Sequence, residues 1–265
     1  MEKARLKDIA EKAGVSVATV SYVLSNKTTQ KISEETRLKI IQIASVLNYK
    51  KNTFASTLAN GKMNQIGLYF GNYNFPIAKS EIGSFVTRLV KSLKSKGFNT
   101  TIIPNGFTIL INNVDAILCI GANDEEFVTL SKNNTIPVLA IDSIKHIPWT
   151  FQLCHTFSNI KEKFALNEFT LVTLRPNSIK LQNLIKENIH DVLFIDNYLQ
   201  LNNLSSTLEN KNVVVAGNDL FEYLQLKNLN LYKYDVYTDD MLNMINDCLD
   251  LAIEHKETDI HDFNY

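Results

Sequence analysis

The chain has 265 residues, 45% of them apolar, so it exceeds one ordinary domain and has material for a sizeable core. Of its 27 basic and 28 acidic residues, 11 and 5 fall within 1–62, leaving 16 and 23 for the rest: a head at net +6 and a body at net −7. That asymmetry suits docking of one end on phosphates, and no apolar run approaches the roughly 20 residues of a membrane-spanning helix.

Cys119, Cys154 and Cys248 stand apart, without the paired spacing of a metal knuckle, and are expected to be reduced and structural. The five histidines are equally scattered, so neither a metal site nor another cofactor is expected. No signal-like segment stands ahead of the first helix, and the bacterial cytoplasm is the expected compartment.

Residues 6–24, LKDIAEKAGVSVATVSYVL, read as two short helices joined by a tight turn. Ile9, Ala10 and Ala13 share one face of the first helix. Gly14 follows where a helix-ending left-handed residue belongs. Ser16 can cap the second helix, on which Val20, Val23 and Leu24 fall at buried spacing. Val17, Ala18, Ser21 and Tyr22 lie on the other face, towards solvent or a ligand. Small Ala10, the glycine turn and apolar Ile9, Val15, Val20 and Val23 make a helix-turn-helix pattern, whose second helix enters a DNA major groove. A plain helical hairpin shares part of this periodicity. The following residues argue against it, because a third helix capped by Ser33 carries an apolar stripe of Ile40, Ile43, Ala44 and Leu47.

Residues 50–63 read as a hinge, with Lys50, Lys51 and Lys62 around a candidate helix at 53–59. Seven residues are too few for a stable isolated helix, so this one would order only when packed. The motifs D-I-A-x-x-A-G-V-S-x-A-T-V-S, S-E-E-T-R, L-N-Y and N-x-x-A-x-x-L-A ahead of I-G-L together resemble the LacI family of bacterial transcription regulators. The resemblance covers about the first seventy residues. It implies a three-helix DNA-binding headpiece, a hinge helix, a sugar-binding-protein-like effector domain and a homodimer on a near-palindromic operator. It also implies that hinge helices enter the minor groove in pairs, with Leu58 wedged into the central base step and Asn52 and Ala55 nearby, kinking the duplex. A plain apolar contact to the body is the alternative for Leu58.

Beyond the hinge, strand-like and helical runs alternate. Strands are predicted at 65–70, 100–103, 115–120, 137–141, 170–174, 192–195 and 213–216. Helices are predicted at 80–96, 124–132, 158–166, 178–189, 198–209 and 239–255. The alternation predicts an α/β body of doubly wound parallel sheets. With the resemblance it gives three parts: an all-α helix-turn-helix head at 1–49, a hinge at 50–63, and a two-lobed periplasmic-binding-protein-like body at 64–265. Lobe 1 takes about 64–145 plus 235–265, and lobe 2 about 146–234. No Gly-rich phosphate loop, paired carboxylates or Ser/His/Asp set is apparent, so no enzyme is expected.

The chain departs from the family in several places. Tyr22 stands where many relatives carry a guanine-reading Arg, and a phenol cannot offer that bidentate fork. Val17 and Ala18 suit thymine methyls. Phosphate contacts then fall to Arg5, Ser16, Thr19, Ser21, Lys27, Lys31 and helix N-termini. The loop 25–31 is about two residues longer than usual, and Lys51 replaces a Pro. The body is short by roughly a quarter, mainly in the second lobe between Arg175 and Asp191, where sugar-binding relatives carry an Arg; none follows Arg175. Asp142, Asp196 and Asp219 match strand ends lining the family's cleft, with strand-to-helix capping as their alternative role. Phe75, Pro76, Trp149 and Phe151 are either cleft lining or core.

The expectation is thus a DNA-binding regulator, a repressor acting as a homodimer on double-stranded operator DNA, with a degenerate effector pocket and the second lobe truncated. A sugar- or metabolite-responsive repressor with an intact small-ligand cleft is the alternative.

Overall fold

The computed structural model describes residues 4–24, 32–47, 49, 62–106, 110–144, 150–227, 229–254 and 262–264. The expected roles of Lys27, Lys31, Lys50, Lys51, Asn52, Ala55, Leu58 and Trp149, and the hinge helix at 53–59, lie outside these residues. The chain forms two compact units, Met1–Met63 and Asn64–Tyr265.

In the first unit, helix α1 (Leu6–Ala13) ends on Gly14, whose φ of 73° only glycine adopts without strain. The Gly14 N–H donates to the Ala10 carbonyl at 2.9 Å, closing the turn. Helix α2 (Val17–Leu24) starts on Ser16, whose Oγ accepts the Thr19 N–H at 3.1 Å. Ser33 caps α3 (Glu34–Val46) in the same way through the Thr36 N–H at 3.2 Å. Ile9, Ala10, Ala13, Val20, Val23, Ile40 and Ala44 form the core of this head.

The second unit holds two parallel sheets. In the first, β1 (Gln65–Phe70), β2 (Asn99–Ile103), β3 (Ala116–Ile120), β4 (Val138–Ile141), β5 (Gln152–Cys154) and β10 (Asp262–Asn264) run in the order β10-β5-β4-β3-β1-β2. In the second, β6 (Thr170–Leu174), β7 (Val192–Ile195), β8 (Asn212–Ala216) and β9 (Asn230–Tyr234) run in the order β7-β6-β8-β9. Alternate residues serve opposite faces. Ala116, Leu118 and Ile120 enter one cluster and Ile117 and Cys119 another, so β3 is apolar throughout, as a parallel strand covered on both faces must be. Val213 and Val215 against Val214 and Ala216 repeat this in the second lobe.

Helices α4 (Pro76–Ser95), α5 (Asp124–Asn133), α6 (Ile160–Phe164), α7 (Ile179–Asn188), α8 (Tyr198–Leu208), α9 (Asn218–Gln225) and α10 (Asp239–Ile253) connect the strands. Helix α4 begins a turn earlier than residue 80, because Pro76 at its first position is preset for the helical φ. That first turn is fixed by the other lobe: Phe75, Ile77 and Ala78 pack with Val172, Ile195 and Leu201, while Phe85, Leu89 and Leu93 enter the first lobe's core. Phe75 and Phe151 are core residues, both at least 94% buried. Helix α10 returns to the first lobe through Met241, Leu242, Ile245 and Leu249.

Sequence patterning missed β5, α9, β9 and β10. Three-residue strands are too short for a periodic signal, and β9 is an edge strand whose NLYKY alternates only weakly. The lobe division at 145/146 is corrected accordingly: β5 pairs with β4, so the first lobe runs through Cys154.

Candidate nucleic-acid interface and inter-lobe cleft

On the head, Val20 and Val23 anchor α2 in the core and Leu24 packs against it. Ser16, Val17 and Ala18 are exposed, Val17 by 45%, whereas Thr19, Ser21 and Tyr22 are half-buried. The Ser16 and Thr19 hydroxyls bond each other at 2.8 Å. The helix sequence VATVSYVL contains no charged residue, so what it presents is methyls, hydroxyls and a phenol. Arg5 lies exposed just before α1, where its N–H donates to the Asp8 carboxylate at 2.7 Å. The exposed part of α2 thus offers methyl and hydroxyl groups and no charge.

In the body, the facing ends of the two lobes line a partly open cleft with a cavity of about 60 Å³. By that measure it has room for a few waters. Tyr73, Glu81, Asp142, His155, Arg175 and Tyr237 provide its polar lining. Tyr73 closes one wall: a Cβ placed on Gly121 would come within 1.7 Å of its hydroxyl oxygen. Burial pushes the Tyr73 and Tyr237 phenols up, which keeps both neutral. Tyr237 stacks on Phe85 at 4.2 Å between ring centres and donates to Asp142 Oδ2 at 3.4 Å.

His155 is pinned between two acceptors. Nδ1 lies 2.8 Å from Asp142 Oδ1 and Nε2 lies 2.7 Å from the Val236 carbonyl oxygen. A carbonyl oxygen only accepts, and Oδ1 already accepts the His155 backbone N–H at 3.1 Å. Both ring nitrogens therefore donate, and the ring is an imidazolium. Burial alone would lower its pKa; the Asp142 charge and the bonds to Asp142 and Val236 outweigh that and leave it raised. The pair ties β4's end to the segments 155–159 and 235–238, where the chain crosses between lobes.

Of the three carboxylates singled out by sequence, only Asp142 lines the cavity. Asp196 is exposed and paired with Arg175, Nε to Oδ2 at 2.7 Å. Asp219 lies outside the lining, and its backbone N–H donates to Glu81 Oε1 at 2.6 Å. Capping does not explain them either: Asn197 caps α8 through the Gln200 N–H, and Asp219 lies one residue inside α9. Nor do the carboxylates lack cations. His155 serves Asp142, and Arg175, the last arginine of the chain, itself lines the cleft and lies over the Phe194 ring.

Glu81, Tyr73, His155, Arg175 and Tyr237 were not legible as site residues. Glu81 alone left a trace, a carboxylate at the spacing of Ile77, Phe85 and Leu89 on the apolar stripe of α4. Burial raises its pKa, opposed by the bond from the Asp219 N–H, reinforced by the Asp219 charge, and opposed again by the Leu220 N–H and Lys233. Among the described residues no group of three or more His, Cys, Asp or Glu could hold a metal ion, and no helix is long and apolar enough to cross a membrane.

The chain thus joins a helix-turn-helix unit to a two-lobed parallel α/β body. Residues 5–52 match the family described as bacterial regulatory proteins, lacI family, so the chain carries a LacI-family helix-turn-helix domain. It is 42% identical over 73 residues to the HTH-type transcriptional regulator YkvZ of Bacillus subtilis strain 168, covering 28% of this chain and 22% of that protein. It is 30% identical over 145 residues to the regulator GanR of the same organism, covering 53% of this chain and 42% of GanR. These matches span less than half the length of the curated relatives. The whole fold is similar to that of the lac repressor dimer bound to operator and the anti-inducer ONPF: TM-score 0.60, 14% identity, 99% of this chain and 97% of that one. The fold thus resembles that of the lac repressor, and the relatives reported are named as transcriptional regulators.

Proposed function

We propose that the protein is a sequence-specific transcriptional repressor. It acts as a homodimer on a near-palindromic operator in the bacterial cytoplasm, catalyses no reaction, and takes no sugar in its inter-lobe cleft. The observation that carries DNA binding is the α2 face of the head: exposed Ser16, Val17 and Ala18 beside Ser21 and Tyr22, on a helix held by a glycine turn and a serine cap. Support for dimeric operator binding comes from the lac repressor structure, which is a dimer on its operator. The small cavity of about 60 Å³, lined by Tyr73 and Tyr237, supports an effector-free body.

The test is a gel shift of the full chain on the DNA upstream of its own coding region, as a function of salt. Residues 1–62 carry net +6, and a dimer presents two such heads. Each neutralised phosphate contributes about −0.9 to the slope of log affinity against log salt, so a slope steeper than about −4 is expected. A slope near zero would refute operator binding.

A further inference from the structure

We propose that the cleft carries its own occupant: the Glu81 carboxylate, seated on the amino end of α9, holds the two lobes closed in place of a free ligand. This rests on the reading that no sugar enters the cleft.

Four features of the site converge on it. Glu81 belongs to α4, whose body lies in the first lobe, yet it is only 5% exposed and its Oε1 accepts the Asp219 N–H of the second lobe at 2.6 Å. The Leu220 N–H is turned to the same carboxylate. Helix α9 has no cap of its own, because the residue before it is Gly217, which has no side chain. And Gly217 is the residue that makes room: a Cβ there would lie 2.6 Å from Glu81 Oε1, at a φ of 116° that disfavours any side chain. The open N–H groups and partial positive charge of a helix N-terminus bind anions. Here that anion is supplied from within the chain, 138 residues away in sequence.

Two contacts at the rim act in the same sense. Asn177 Nδ2 donates to the Gly121 carbonyl oxygen at 2.8 Å. Asp124, in the first turn of α5, accepts from the Ser178 hydroxyl and from the Lys180 N–H. All three contacts join the lobes, and of their two carboxylates Glu81 is the buried one. A ligand shifts a two-state equilibrium only by its differential affinity for the two states. A tethered carboxylate is present at high effective concentration whatever the cell contains, so the closed state needs no external partner.

The experiment measures the distance between the lobes in the full-length protein. Spin labels go on Lys91→Cys in the first lobe and Glu187→Cys in the second, both exposed; the native cysteines are buried. With Glu81 in place, a single narrow distance is expected, unchanged by sugars. Glu81→Ala should lengthen and broaden it, and excess sodium formate should restore the narrow distance where sodium chloride at equal ionic strength does not. Glu81→Gln keeps the size and one acceptor but not the charge, so an intermediate distribution is expected, and this variant decides the matter if Glu81→Ala does not fold. A Glu81→Ala distribution identical to the unmodified protein's, a Glu81→Gln distribution that does not move, or no response to formate would each overturn the proposal. A sugar that raises the melting temperature of the unmodified protein would instead strike the empty-cleft reading, and the Glu81 variants would report separately.

Discussion

Replacing His155 by Leu removes the cation of a nearly buried pair, with side chains 4% exposed for His155 and 14% for Asp142. The Asp142 carboxylate then stays in the cleft without its partner, and the Val236 carbonyl loses its donor. Breaking a buried pair from one side costs about 3–5 kcal/mol. For a body of this size each kcal/mol lowers Tm by about 2–4 °C, so a fall of roughly 6–20 °C is expected. Adding Asp142→Asn should recover much of that loss, because it removes the stranded charge. Asn also tolerates the left-handed φ of 56° at this position. The pH dependence has a definite sign. The folded pKa of His155 is raised, so the stability it contributes is full below the ordinary histidine value of about 6.5 and is lost as pH rises through the folded value. Thermal melts of both proteins from about pH 6 upwards follow that loss. The unmodified protein should lose stability towards alkaline pH faster than His155→Leu. Parallel curves would refute the imidazolium, and with it the argument from the two acceptors.

Tyr22→Arg should change which operator is preferred more than it changes affinity for random DNA, since a guanine-directed fork is worth about 1–3 kcal/mol per base; identical sites from binding-site selection on both proteins would show that Tyr22 does not face the bases. Common mono- and disaccharides should neither release DNA nor raise Tm, because a sugar present at about 100 times its Kd would add about 2.7 kcal/mol, which a thermal scan detects. A shift of several degrees with one sugar, abolished by Asp142→Ala, would reinstate a ligand site.

The head was legible because its causes are local. Ile9, Ala10 and Ala13 bury at helical spacing, Gly14 takes the left-handed φ, and Ser16 and Ser33 cap the residues that follow them. Each depends on neighbours within four residues, so the pattern survives in one dimension. The body's strand–helix alternation was legible for the same reason, and its parallel sheets follow from it.

The cleft was not. Glu81 and Asp219, His155 and Val236, and Asn177 and Gly121 are pairs separated by 138, 81 and 56 residues. Strand-end position pointed to three aspartates, but only Asp142 lines the cavity. What distinguishes it from Asp196 is which charges and walls surround it, and those come from other elements. The sequence by itself determined the second helix of the head, the glycine turn, the caps and the α/β alternation, since each depends on contacts within a few residues. Only the tertiary structure decided that Tyr73, Tyr237 and Glu81 line the cleft. Whether a carboxylate is a ligand for a guest or for its own chain depends on long-range packing that no local spacing encodes.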